Sequence, residues 1–301
     1  MTESNTQTSI EGTVAANEVP VTGPSHEVAL YAEEIGHIGP LPVTNALLTG
    51  WSVVVVILVV SIVLKRSLRE VPSGLQNVVE MILTGALDLC DQVTGSRKIS
   101  NKVFPWALSV FIFVLINNWF GLLPLGGVGV VETTKIGSAF IPFLRGGTAD
   151  LNTTVAVAIL SVVGANIFGV FSIGIWKVFN KYFNIRALGE IFTKTRKEPT
   201  ILIVAPVYFF IGILEFIGEF AKIASLAFRL FGNIFAGEVL LMAMGAILPF
   251  VLPIPFIFLE IFVGAIQALI FAILTLVYFT VAAQDHEAEE EEVEVELAGS
   301  H

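Results

Sequence analysis

The chain has 301 residues, of which 55% are hydrophobic and only 14% charged, with a formal net charge of −10. A mean hydropathy of +0.83 excludes a soluble globular domain, because no water-facing surface tolerates so much apolar area. Sixteen Lys and Arg residues and a single cysteine, Cys90, leave no basic patch for nucleic acid, no internal disulfide and no metal-binding spacing.

Residues 1–28 are polar and acidic. They lack the basic start and apolar core of a signal peptide, and they hold too little apolar surface to pack, so a disordered extension is expected. Residues 29–284 read as one membrane domain, with all-α polytopic architecture. Residues 285–301 form an acidic tail of seven glutamates and one aspartate without a basic residue, a pattern expected to stay solvated.

Apolar runs long enough to cross about 30 Å of hydrocarbon mark the spans. The first is Asn45 to Leu64, ended by Lys65, Arg66 and Arg69. Val71 to Gly95 is too polar to cross, but Leu75, Val78, Val79, Ile82, Ala86 and Leu89 recur at helical spacing, as in a helix lying along a surface. The second span is Val103 to Leu123. The third is Leu151 to Trp176, with Thr148 or Asp150 placed to cap it. A basic stretch, Lys177 to Lys197, follows with six of the sixteen Lys and Arg residues.

Twelve Lys and Arg residues lie between spans one and two or after span three, and only Lys135 and Arg145 lie between spans two and three. The positive-inside rule then puts the N-terminus outside and residues 177–199 in the cytoplasm.

Thr200 to Leu248 is too long for one ordinary crossing. As a helix its 49 residues would extend about 73 Å. Pro206 and Gly212 are expected to disturb its first turns, and Pro249, Pro253 and Pro255 mark a turn before a second over-long apolar element, Pro253 to Ala283. A steeply tilted hairpin is expected; two extra crossings are the rival.

Glu215, Glu219, Lys222, Ser225 or Leu226, Arg229, Asn233 and Gly237 follow one another at three or four residues along the first long helix. They form one stripe, flanked by Gly218, Ala221, Gly232 and Ala236, whose small side chains admit close approach of another helix. Glu238 falls on the opposite side from Arg229. On the second long helix Glu260 and Gln267 share a face, and antiparallel pairing puts Gln267 level with Arg229 and Glu260 with Glu238.

Arg229 is the costly residue. A guanidinium cannot neutralise itself on burial, and near a bilayer centre a charge costs from about 2.5 to over 10 kcal/mol. Snorkelling from a helix end is a weak explanation, since about 18 apolar-rich residues follow before the next turn. A negative or protonatable partner is expected, and intramembrane carboxylates are functional candidates in the same way.

The run S-L-A-F-R-L-F-G-N-I-F-A-G-E, Ser225 to Glu238, resembles the signature of subunit a of F-type ATP synthases. Q-A-L-I-F-A-I-L-T-L-V-Y (267–278), N-N-W-F-G-L-L-P (117–124) and T-A-D-L-N-T-T (148–154) resemble further motifs of that family, in order, and the likeness covers roughly residues 25–285. One departure stands out. Many bacterial members have a histidine at the position of Glu260, whereas here Glu238 and Glu260 are both acids.

The resemblance implies a stator subunit in a bacterial cell membrane, with the c-ring, b-type peripheral stalk subunits, the rest of the synthase and the lipid bilayer as partners. It implies a non-catalytic chain that binds no nucleotide and no cofactor, and the sequence has no G-x-x-x-x-G-K-[ST] motif. Arg229 would face the c-ring as the essential charge. Glu238 and Glu260 would serve proton access from outside, Ser225 and Glu215 release to the cytoplasm, and Asn233 and Gln267 would take part in the translocation near Arg229. A stand-alone secondary ion transporter is the alternative, but such folds usually show two related halves, and no internal repeat is present.

Overall fold

The computed structural model describes residues 32–68, 74–123, 129–134, 137–142, 145–183, 201–249 and 251–283. The N-terminal extension, most of the basic stretch and the acidic tail lie outside the described residues.

A short antiparallel hairpin, β1 (Glu34–Ile38) and β2 (Leu41–Thr44), turns at Gly39 and runs directly into helix α1, Asn45–Ser67. Thr44 caps α1, its side chain accepting from the Leu47 backbone N–H at 3.2 Å. Helix α2 (Leu75–Thr94) is the amphipathic element expected at 71–95; Val78, Met81 and Ile82 are exposed, while Cys90 is buried against the bundle. Helix α3 runs from Arg97 to Phe120, starting six residues earlier than the apolar pattern placed it. Basic residues in a first helical turn oppose the helix dipole. Arg97 is compensated by Asp88 at 3.0 Å and by Asp91, both on α2.

A second hairpin, β3 (Gly129–Thr134) with β4 (Gly137–Pro142), precedes a 3-10 turn at Gly147–Ala149. Asp150 then caps helix α4 (Leu151–Ile173), its carboxylate accepting from the Thr153 N–H at 3.3 Å. Gly174, at φ +99°, takes a conformation that side chains disfavour, and it separates α4 from α5, Ile175–Phe183. The third apolar run therefore ends three residues before Trp176.

Helix α6 is continuous from Ile201 to Ile247, and α7 from Pro253 to Ala283. Neither Pro206 nor Gly212 interrupts α6. A proline six residues into a helix removes one helical hydrogen bond near its start, and the helix runs through it. Among the described residues, five helices are long and apolar enough to cross a membrane: α1, α3, α4, α6 from Phe209, and α7. At 1.5 Å per residue α7 alone spans about 46 Å, well beyond a bilayer core.

The core lies where α3, α4, α6 and α7 meet. Val110, Val114, Val157, Ala158, Val162, Leu226, Leu230, Ala268 and Phe271 form its main cluster. A second cluster joins Cys90 of α2 to Val103, Ala165, Leu276 and Phe279, with Trp106 and Phe168 tilted against the Phe279 ring at 5.6 and 5.5 Å. Helix α1 packs mainly on α3 and leaves Val54 to Val63 largely exposed, as expected of a face meeting lipid.

Candidate functional site

Leu226, Ala227, Leu230, Ile234 and Gly237 turn one side of α6 into the core. The other side is open: Ala221, Ser225, Phe228, Arg229, Gly232, Asn233 and Ala236 are exposed, at three- and four-residue spacing. A Cβ added at Gly218 or Gly232 would meet nothing within 4 Å. Arg229 sits in the middle of this small-residue face. Its Nη2 donates to Ser225 Oγ at 3.3 Å, one turn away, and no carboxylate among the described residues pairs with it.

Of the two expected cross-helix levels, Glu260 lies against Gly237, the neighbour of Glu238, whereas the Gln267 side chain bonds one turn away from Arg229. There Asn233 Nδ2 donates to Gln267 Oε1 at 2.8 Å. Glu260 is buried with its carboxyl against the backbone of Gly237, where an added Cβ would lie 2.2 Å from the carboxyl carbon and both oxygens. Glu260 Oε1 and Gln267 Nε2 have no hydrogen-bond partner among the described residues. Buried polar atoms left over by the protein are the usual seats of ordered water.

Glu238, next along α6, is held by Arg145. The guanidinium Nε donates to Glu238 Oε1 and Oε2 at 3.0 and 3.2 Å, and Nη2 to Oε2 at 2.9 Å. Arg145 is itself buried. From the sequence it contributed only to the loop charge count, and its pairing with a residue 93 positions away is a finding of the structure. Thr148 in the same turn donates to Asn118 Oδ1 at 2.8 Å, and Asn118 Nδ2 donates to the Gly264 carbonyl at 3.0 Å. The α3 terminus, the 3-10 turn, α6 and α7 thus converge between Glu260 and Gln267.

The stripe read from the sequence does not stay on one surface. Toward the start of α6 it turns in against α4 and α5. Glu219 accepts from Lys222 Nζ at 2.7 Å and from Asn166 Nδ2 at 3.0 Å, and Tyr182 donates to Asn166 Oδ1 at 2.6 Å. Burial raises the Tyr182 phenol well above its ordinary value, with the Glu219 and Glu215 carboxylates adding to the shift. Lys222 lies over the Tyr278 ring at 5.4 Å. Glu215 is half-buried in this region. A polar group thus occupies each end of the exposed face, with Arg229 between them.

The family model described as ATP synthase A chain matches residues 47–280, which include every site residue named above. The chain belongs to that family. Among curated relatives, it is 29% identical to ATP synthase subunit a of Moorella thermoacetica over 253 residues, covering 84% of this chain and 97% of the relative. It is 34% identical to the chloroplastic ATP synthase subunit a of Stigeoclonium helveticum over 243 residues, 80% of this chain and 85% of the relative. It is 31% identical to ATP synthase subunit a of Trichlorobacter lovleyi over 234 residues, 78% of this chain and 85% of the relative. Family membership and the five apolar helices make it a multi-pass membrane-sector subunit of an ATP synthase.

Proposed function

We propose that this chain is the stator that offers two proton half-channels to a rotating c-ring, so that proton flow through the membrane drives ATP synthesis elsewhere in the complex. The observation that carries the reading is Arg229: a permanent charge, in an apolar helix, on an open face lined by Gly232, Ala236 and Ala221. A desolvated guanidinium needs an anion, and the described residues of this chain give it none. Carboxylates presented in turn by a neighbouring ring supply that anion.

Each ring carboxylate would cross lipid protonated and discharge beside Arg229, whose charge stabilises the ionised form and blocks direct proton flow. Protons would arrive from outside by way of Glu238, Glu260, Asn233 and Gln267, and leave to the cytoplasm past Ser225 and Glu215. Offset channels force each proton through nearly a full turn of the ring, and each charge crossing 100 mV carries about 2.3 kcal/mol. The b-type stalk subunits would hold the chain against rotation, and the isolated chain would carry out no chemistry.

Cysteine at Asn233, on the open face, should cross-link to cysteines placed on the outward helix of the ring subunit. Cross-linking from the buried α6 position Leu230 should fail. The reverse pattern would remove the rotor-facing assignment and favour a stand-alone transporter. For orientation, a cysteine at Glu294 should react with a membrane-impermeant maleimide in inverted vesicles and not in intact cells; reaction only in intact cells would overturn the topology.

A further inference from the structure

The two carboxyls at the turn end of α6 are not equivalent. Glu260 reaches α6 at Gly237 and its Oε1 has no partner among the described residues, whereas Glu238, the next residue of α6, accepts three hydrogen bonds from one guanidinium. An Arg pair of this kind fixes direction as well as charge, because the planar fork admits only a narrow range of carboxylate poses. Arg145 is well placed to act as such a fixture. It is buried, and it begins the short segment whose Thr148 is bonded to Asn118, which is bonded in turn to Gly264 of α7. Gly146 and Gly147 of that segment pack directly on Gly121 and Asn117 of α3. The guanidinium therefore stands beside a segment tied to both α3 and α7.

We propose that Arg145 is a positioning residue of the outer half-channel, aiming the Glu238 carboxylate so that it can exchange protons with the water path beside Glu260. The proposal rests on the outer-channel role assigned above to Glu238. It gives a function to a buried cation that proton conduction would otherwise not need. It also explains how an acid of α6 and an acid of α7 sit at neighbouring sites, since a fixed positive charge offsets the repulsion between them.

The test is passive proton conductance of vesicles holding the assembled membrane sector after the catalytic sector has been stripped, measured for Arg145→Gln, Arg145→Lys, Glu238→Gln and the double variant Arg145→Gln with Glu238→Gln. Misaiming a transfer group costs on the order of tenfold or more in rate, so Arg145→Gln should lower conductance by about tenfold. Arg145→Lys, which keeps the charge but not the fork, should fall between it and the unaltered chain. The double variant should conduct no worse than Glu238→Gln alone, because a residue that acts through Glu238 has nothing left to do there. A merely structural role would make the two losses add, and that outcome overturns the proposal, as does unchanged conductance in Arg145→Gln. If Glu238→Gln itself conducts normally, the outer-channel reading fails instead. Should Arg145→Gln not assemble, the same cycle run with Arg145→Lys decides between the two.

Discussion

Arg229→Lys is expected to abolish coupled ATP synthesis while the complex remains assembled. The exposed face on which Arg229 lies makes no core contact that a lysine would break, and Leu226, Leu230 and Ile234 on the opposite side carry the packing of α6. Lysine keeps a positive charge only while it stays protonated, and desolvation favours its neutral form. A point charge on a flexible stem also cannot follow a passing carboxylate as the broad guanidinium does. The expected loss is about a hundredfold or more in synthesis rate, or about 2.7 kcal/mol or more on the barrier. Synthesis by vesicles energised with a proton gradient measures it, with co-purification of the other subunits as the assembly control. Synthesis within a few-fold of the unaltered complex would show that a generic charge suffices.

Gly237→Ala is expected to assemble yet lose most proton pumping. The added Cβ would fall 2.2 Å from the Glu260 carboxyl, far inside contact distance. The obstructing atoms end a flexible side chain rather than belonging to backbone, so the carboxyl can swing aside without parting α6 from α7. The cost then appears in conduction, about tenfold for a displaced transfer group. Adding Glu260→Asp, one methylene shorter, should restore part of the rate by withdrawing the carboxyl from the clash. ATP-driven quenching of a pH-sensitive dye in vesicles reads both variants. Full pumping in Gly237→Ala would mean that the carboxyl does not need its place against α6.

The five spans and the surface helix were legible because lipid imposes a simple requirement, about twenty apolar residues per crossing. The over-long final pair was legible by the same count. What periodicity could not supply was which side chains bond across elements. Glu260, expected level with Glu238, lies against its neighbour Gly237, while Gln267, expected near Arg229, spends its Oε1 on Asn233 one turn away. The hairpins before α1 and before α4 escaped notice because their strands are short and lack alternating patterning. Arg145 was missed for a deeper reason, since only the tertiary fold brings residue 145 beside residue 238. A signal did exist. Glu238 lies in apolar sequence and needs a cation, Arg229 lies on the other side of α6, and few other basic residues remain near that end. Pro206 shows the opposite error, a local breaker near a helix start that costs one hydrogen bond without ending the helix.

In the proposed function Arg229 separates two proton paths while stabilising whatever anion the rotor presents. Removing the charge without filling the space tests both parts at once. In inverted vesicles holding the complete synthase with Arg229→Ala, ATP is predicted to produce no acidification of the lumen. After the catalytic sector is stripped, the same membranes are predicted to leak protons faster than those with the unaltered chain. Normal ATP-driven acidification by Arg229→Ala would contradict the account.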